Sequence, residues 1–237
     1  MAGDLRKELR LLFEKYGSDK SRHGYQSVYA EVLGQHRERA CNVVEVGVQE
    51  GKSLAAWLEF FPNAFVYGLD LAPPAVSSGR RFCVLQCDQA SVHQLEAAAA
   101  RIKTAGVVID DGSHVPDHQL LTFNLFFSRV LEVGGVYIIE DVETSYWRKG
   151  ELYGTSIRAG EESKASVINI FTNAIHRTVN GLYAGRDDVV GISKEAAEHI
   201  ESMSFGKNYI MIRKGARRPP SGEVAPYYYA NFVRGAT

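Results

Sequence analysis

Two short stretches concentrate acidic groups beside a histidine. Asp110-Asp111-Gly112-Ser113-His114 follows the apolar run Gly106 to Ile109, and Glu140-Asp141 follows Val136 to Ile139. A β-branched apolar run that ends in carboxylates reads as a buried strand delivering acids to a sheet edge. In an open α/β sheet, ligands bind outside the carboxyl ends of the strands. The two strands are consecutive in the pattern and are expected to be neighbours, so Asp111, Glu140 and Asp141 should converge. Three carboxylates at close quarters repel one another unless a cation or a proton relieves them. All-oxygen ligands suit Mg²⁺ or another hard divalent ion better than zinc. One such acid alone would read as a solvated loop group or a helix cap; three beside a histidine favour a metal. His114 follows a Gly-Ser turn that would hold it at the rim of the cleft, and histidine is a residue type suited to proton abstraction. His118, four residues on, raises a zinc alternative, but a first-turn position on a helix surface is the simpler reading. The other five histidines carry no spacing signal.

A second constellation lies earlier, at Val44-Glu45-Val46-Gly47-Val48-Gln49-Glu50-Gly51-Lys52-Ser53. Its two glycines, at a strand-to-helix junction, allow a sharp turn and close approach of a ligand. The helix that follows offers unpaired N–H groups. Three readings compete. A dinucleotide loop wants G-x-G-x-x-G, and Gln49 occupies its second glycine. A phosphate loop wants G-x-x-x-x-G-K-[ST]; Gly51-Lys52-Ser53 fits, but Val46 stands where the first glycine belongs. The third is the E-x-G-x-x-x-G loop of class I methyltransferases, whose cofactor S-adenosylmethionine has no phosphate. Asp70, ending the next strand, falls where ribose hydroxyls are bound in Rossmann-type proteins. Asp88-Gln89 follows the strand after that, where a residue contacting adenine would lie.

The elements that must position these groups alternate. Strands are expected at Asn42 to Gly47, Ala64 to Leu69, Arg81 to Gln86, Gly106 to Asp110 and Val136 to Ile139. Helices are expected at Lys52 to Phe61, Ser91 to Lys103 and Asp117 to Leu131, the last capped by Gly134-Gly135. Such alternation argues for a parallel sheet with helices on both faces. Asp4 to Tyr16 and Tyr25 to Leu33 read as amphipathic helices before the first strand. Ser163 to Leu182 reads as a further helix. Asp188 to Ile192 and Ser204 to Arg213 read as late strands forming an antiparallel hairpin, with Lys194 to Ile200 a turn or two of helix between them. The expected fold is therefore α/β, a Rossmann-like sheet with an antiparallel end, in one domain: a helical lead-in over 1–40, a core over 41–214 and a tail over 215–237.

The 237 residues carry 27 Lys+Arg against 28 Asp+Glu, a formal net charge of -1, with 45% hydrophobic residues. That balance excludes a strongly basic nucleic-acid clamp and wholesale disorder. Three cysteines exclude a disulfide scaffold and suit a reduced, cytoplasmic setting. No uncharged apolar run reaches the roughly 18–20 residues of a membrane span, and the N-terminus lacks the apolar core of a signal peptide.

Several of these stretches form a connected series: Tyr16-Gly17-Ser18-Asp19-Lys20, His23-Gly24-Tyr25, VVEVGVQEGKSLAAW, YGLDL, Asp88-Gln89, IDDGSH and IEDVETSYW. The series resembles the metal-dependent macrolide-sugar O-methyltransferases, closely from Phe13 to Trp147 and more loosely from Phe205 to Lys214. The resemblance implies S-adenosylmethionine and Mg²⁺ or a similar ion as cofactors. It implies Asp111, Glu140 and Asp141 as metal ligands and His114 as general base. Glu45, Gly47, Asp70, Asp88 and Gln89 match positions lining the cofactor pocket. Gly51, Ser53 and Asp110 go with them, and Ser18-Asp19-Lys20 is expected to close near the cofactor's amino-acid end. Tyr146 and Trp147 are candidates for the acceptor pocket, against ordinary aromatic packing. The implied partner is a small hydroxylated, sugar-containing molecule, with no nucleic acid and no membrane. Some members of the family carry an extra N-terminal domain used in tetramers; the short lead-in here leaves homo-oligomerisation open. Residues 150–188 and the Tyr227-Tyr228-Tyr229 tail match nothing specific. Competing readings are a catechol-type acceptor, an NAD-dependent oxidoreductase and a non-catalytic protein that kept the fold.

Overall fold

The computed structural model describes residues 2–179 and 191–217. Helices α1 (Ala2–Tyr16), α2 (Lys20–His23) and α3 (Gln26–Leu33) precede β1 (Asn42–Val46). The chain then runs through α4 (Lys52–Phe60), β2 (Phe65–Asp70), β3 (Ser78–Gly79), β4 (Phe82–Gln86), α5 (Val92–Ile102), β5 (Ala105–Asp110), α6 (Pro116–Arg129) and β6 (Leu131–Glu140). A 3-10 turn (Val142–Tyr146) leads to the hairpin β7 (Gly150–Leu152) and β8 (Thr155–Ile157). After it come α7 (Val167–Val179), α8 (Lys194–His199), β9 (Ile200–Gly206) and β10 (Tyr209–Lys214).

One eight-stranded sheet has the order β3-β4-β2-β1-β5-β6-β10-β9. β4, β2, β1, β5 and β6 are mutually parallel, whereas β10 and β9 return antiparallel beside β6. The central strands are buried on both faces, all six residues of β5 included, which is why they read as continuous apolar runs. Alternate residues feed two cores. Val44 and Val108 pack with α5, α6, α7 and α8, and Val43 and Val107 pack with α1, α3 and α4. From β1 the chain winds outward to β2 and β4, then returns to β5 on the other side. That reversal places a crevice at the carboxyl ends of β1 and β5, where the glycine loop and Asp110-Asp111 emerge.

Local choices follow side-chain chemistry. The Ser91 hydroxyl caps α5 by accepting from the Gln94 N–H, and Pro116 opens α6 at a position where a missing N–H is harmless. Three expectations need correction. Gly134-Gly135 do not cap α6; the helix ends at Arg129 and the glycines lie inside β6, where pairing with β5 slips register. Ser204 to Arg213 is not one strand. It turns at Lys207-Asn208, so the antiparallel hairpin is β9 with β10. Ile192 belongs to no strand, while residues 188–190 of that expected strand, the end of the Ser163 to Leu182 helix and most of the 215–237 tail lie outside the described residues. Among the described residues no helix is long and apolar enough to cross a membrane.

Candidate active site

The loop after β1 is pulled tight against its neighbours. The Gly47 N–H donates to the Leu69 carbonyl at 2.8 Å, and the Asp111 N–H to the Val46 carbonyl at 2.9 Å. Gly47 has φ +82°, and a Cβ there would come 2.0 Å from the Asp111 carbonyl oxygen. Only glycine fits. Asp70 stitches the loop from the next strand: its Oδ2 accepts from the Val48 and Gln49 N–H groups, each at 2.8 Å, and its Oδ1 from Ala72.

Several residues expected on the cofactor side hold one another. Glu45 is fully buried and accepts from the Trp57 indole at 2.8 Å. Burial pushes its carboxyl up to about 7, against the pull of Lys20 and Trp57. Asp110 is also fully buried and accepts from Gln89 Nε2 at 2.8 Å and the Tyr137 hydroxyl at 3.2 Å. Burial raises it to about 7 as well. Gln89 in turn accepts from the Ser113 N–H. Asp110 and Gln89 are thus a buried brace between strand ends. Asp88, half-buried, accepts from the Ala90 N–H. Ser53 and Ser18 are buried, and Gly51 caps α4 in the left-handed conformation. Asp19 is exposed.

The acids of β5 and β6 behave differently. Asp111 Oδ1 and Asp141 Oδ2 both face His114 Nε2, at 4.0 and 3.9 Å. One ligand atom from each of Asp111, His114 and Asp141 falls within 4.8 Å of the others. Each carboxylate is held through its other oxygen. Asp111 Oδ2 accepts from Lys20 Nζ at 2.5 Å. Asp141 Oδ1 accepts from the Tyr25 hydroxyl at 2.7 Å and Asn208 Nδ2 at 2.9 Å. His114 is 8% exposed, so it lies inside the cleft rather than at its rim. Its carbonyl accepts from the Thr144 hydroxyl at 2.6 Å, and its Nδ1 is buried without a partner.

Glu140 stands apart from this trio. Its Oε1 accepts from Lys20 Nζ at 2.8 Å and from the Tyr29 hydroxyl. Lys20, 1% exposed, also lies 3.8 Å from Glu45 Oε1. Burial pulls the ammonium down, but Asp111, Glu140 and Glu45 outweigh that and hold it above its ordinary value. Burial and the neighbouring Asp111 raise Glu140. Lys20 therefore lies among the carboxylates, because the buried Glu45 and Glu140 and the half-buried Asp111 need a cation within reach.

Tyr146 is 52% exposed, and Trp147 is half-buried against Gly150 at the foot of the β7–β8 hairpin. His118 bonds Ser113 Oγ at 2.9 Å and stays outside the trio. Sequence reasoning missed Tyr29 and Tyr153, for which no motif exists. Tyr25 and Asn208 lay in stretches already quoted, but without a role. The facing oxygens of Asp111 and Asp141 could hold one divalent ion, being hard donors whose outer partners fix each carboxylate, with the His114 imidazole beside them.

No protein-family profile matches the chain. It is 37% identical over 141 residues to the 8-demethyl-8-alpha-L-rhamnosyl tetracenomycin-C 2'-O-methyltransferase of Streptomyces olivaceus, covering 56% of this chain and 37% of that one. It is 34% identical over 132 residues to the mycinamicin VI 2''-O-methyltransferase of Micromonospora griseorubida, covering 53% and 33%. The chain spans about a third of the length of these curated relatives. The MycE methyltransferase from the mycinamycin pathway, solved with Mg, SAH and mycinamycin VI, superposes with a TM-score of 0.79 at 24% identity, over 94% of this chain and 57% of that one. The chain thus has the fold of the MycE methyltransferase, and over about half of its length it is similar in sequence to these named O-methyltransferases.

Proposed function

We propose that this chain is an S-adenosylmethionine-dependent, divalent-metal-assisted O-methyltransferase acting on a hydroxyl of a sugar carried by a natural product. The observation that carries the reading is the convergence of Asp111, His114 and Asp141 beside a glycine loop closed by Asp70. The relatives support the acceptor class, since the name of the Streptomyces olivaceus enzyme specifies a rhamnosyl-bearing acceptor. Three free cysteines support a reducing, cytoplasmic setting. We infer no nucleic-acid or membrane partner, and homo-oligomerisation forms no part of the reading.

The cofactor would lie along the carboxyl ends of β1, β2 and β4. Gly47 lets the loop close against Asp111, and Asp70 holds the loop while offering the one lone-pair site left on its Oδ1 to a ribose hydroxyl. Asp88 borders the adenine end. Asp111 and Asp141 would hold the cation, with Glu140 adding negative charge behind them. A bound divalent ion supplies Lewis-acid stabilisation of an alkoxide, which a sugar hydroxyl otherwise forms poorly. His114 takes the hydroxyl proton. Lys20, Tyr25 and Asn208 keep the two aspartates turned towards His114. The sulfonium methyl needs no activation, so alignment of the acceptor oxygen with it provides much of the remaining rate.

The test is methyl transfer from S-adenosylmethionine to a rhamnosyl-bearing acceptor, with and without Mg²⁺, alongside calorimetric titration of S-adenosylhomocysteine and NAD. Binding of S-adenosylhomocysteine, no NAD binding, and turnover lost on chelation are expected. NAD binding would replace the reading by an oxidoreductase. Full turnover in chelator would remove the metal from it.

A further inference from the structure

The hairpin β7–β8 borders the site, and the chemistry above does not use it. Its strands pair from Gly150 with Ile157 to Leu152 with Thr155, leaving Tyr153-Gly154 as a two-residue loop. Both loop residues have positive φ, +48° and +76°, as a type I′ turn requires. Asn, Asp or Gly ordinarily fill the first of these places, because a larger side chain in the left-handed region costs about 1–2 kcal/mol. Tyrosine is a poor choice for the turn, and burial does not compensate: Tyr153 is 67% exposed. Neither local conformation nor core packing accounts for it.

Its position does. The Tyr153 ring centroid is 6.4 Å from that of His114, with the planes at 43°. Gln49 Nε2, from the glycine loop, donates to its hydroxyl at 3.4 Å. The ring therefore bridges the cofactor-side loop and the Asp-His-Asp cluster. The base of the hairpin is braced, since a Cβ on Gly150 would come 2.4 Å from the Trp147 indole.

We propose that Tyr153 is the acceptor platform, an exposed aromatic face on which the C–H face of a pyranose stacks so that a ring hydroxyl meets His114. A 6-deoxypyranose suits it best, because the methyl group enlarges the apolar face offered to the ring. The Gln49 contact sets the tilt of the platform. This inference rests on the sugar-acceptor reading and adds the residue that orients the sugar.

The deciding variant is Tyr153→Asn, because asparagine favours the turn while removing the ring. The probes are p-nitrophenyl α-L-rhamnopyranoside and mycinamycin VI, followed by methyl transfer and by saturation-transfer NMR. Tyr153→Asn should keep or raise Tm, leave S-adenosylhomocysteine affinity unchanged, and raise the acceptor KM roughly tenfold with kcat within about threefold. Tyr153→Phe should keep KM within about threefold. An unchanged KM in Tyr153→Asn overturns the platform, as does a fall in Tm, which would make the ring a packing group. If the parent protein neither binds nor methylates either probe, the sugar reading falls and this inference with it. If the parent methylates a probe and Tyr153→Asn matches it, only this inference falls.

Discussion

The two ends of the sheet both bury charged groups, and they use them in opposite ways. At the amino end, Lys214 Nζ donates to the carbonyls of Phe127, Ser128 and Leu131 at 2.6, 2.9 and 2.7 Å. These carbonyls close the C-terminus of α6. Arg81 does the same for α4, donating to Leu58, Phe61 and Ala64. His36, 1% exposed, lies between Arg39 and Gln35; burial and the neighbouring arginines lower it to about 4, which keeps it neutral. Lys214 and Arg81 thus donate to carbonyls at and just beyond the ends of α6 and α4, where the helix leaves acceptors unpaired. At the carboxyl end, Asp111 and Asp141 are each tied through one oxygen and turn the other towards His114. Leftover bonding capacity, more than buried charge, separates a site from a brace.

The largest test of this contrast is at the open end. Asp111→Ala and Asp141→Ala should each lower methyl transfer at least about a thousandfold, the several kcal/mol of Lewis-acid stabilisation. S-adenosylhomocysteine affinity should change less than about threefold by calorimetry. Substantial activity in either variant would mean the facing oxygens are incidental. At the closed end, Lys214→Met leaves three carbonyls without a donor and should cost about 3 kcal/mol in urea denaturation. Turnover per folded molecule should be preserved, and a loss of turnover would erase the division between the ends. Asp70→Asn tests the middle ground. One amide oxygen cannot serve Val48, Gln49 and Ala72 as a carboxylate does, so cofactor affinity should fall roughly tenfold, with metal affinity intact. The smallest effect concerns His36. Its folded value near 4 lies below the unfolded 6.5, so the unfolded chain takes up its proton first as pH falls. The stability it contributes is whole above about 6.5 and gone below about 4. Relative to His36→Gln, the parent should lose about 1 kcal/mol between pH 7.5 and 5.5. A constant gap in Tm across that range would show that His36 is not held neutral.

Much of the core was legible because parallel strands buried on both faces must be apolar along their whole length, as in Ala105–Asp110. Gly134-Gly135 misled because Gly-Gly after a helical stretch ordinarily ends it. Here Lys214, 80 residues on, takes over the helix terminus and frees the glycines to enter β6. The backbone strain was invisible in the sequence. Among the described residues, non-glycine positive φ occurs at Gln49, Lys103, His114, Asp141, Tyr153 and Asn208. All but Lys103 border the site, and strain of this kind persists only where surrounding contacts over-determine it.

The sequence by itself determined the alternation of strands and helices, the acids at the strand ends and the glycine at position 47. These follow from local periodicity and from the rule that α/β ligands meet at strand carboxyl ends. Tertiary structure alone decided which oxygen of each acid is held. Lys20 reaches Asp111 and Glu140 across 91 and 120 residues, and Tyr25 and Asn208 reach Asp141 from opposite ends of the chain. No local pattern encodes such pairings, because burial of opposite charges rewards proximity in space and is blind to separation along the chain.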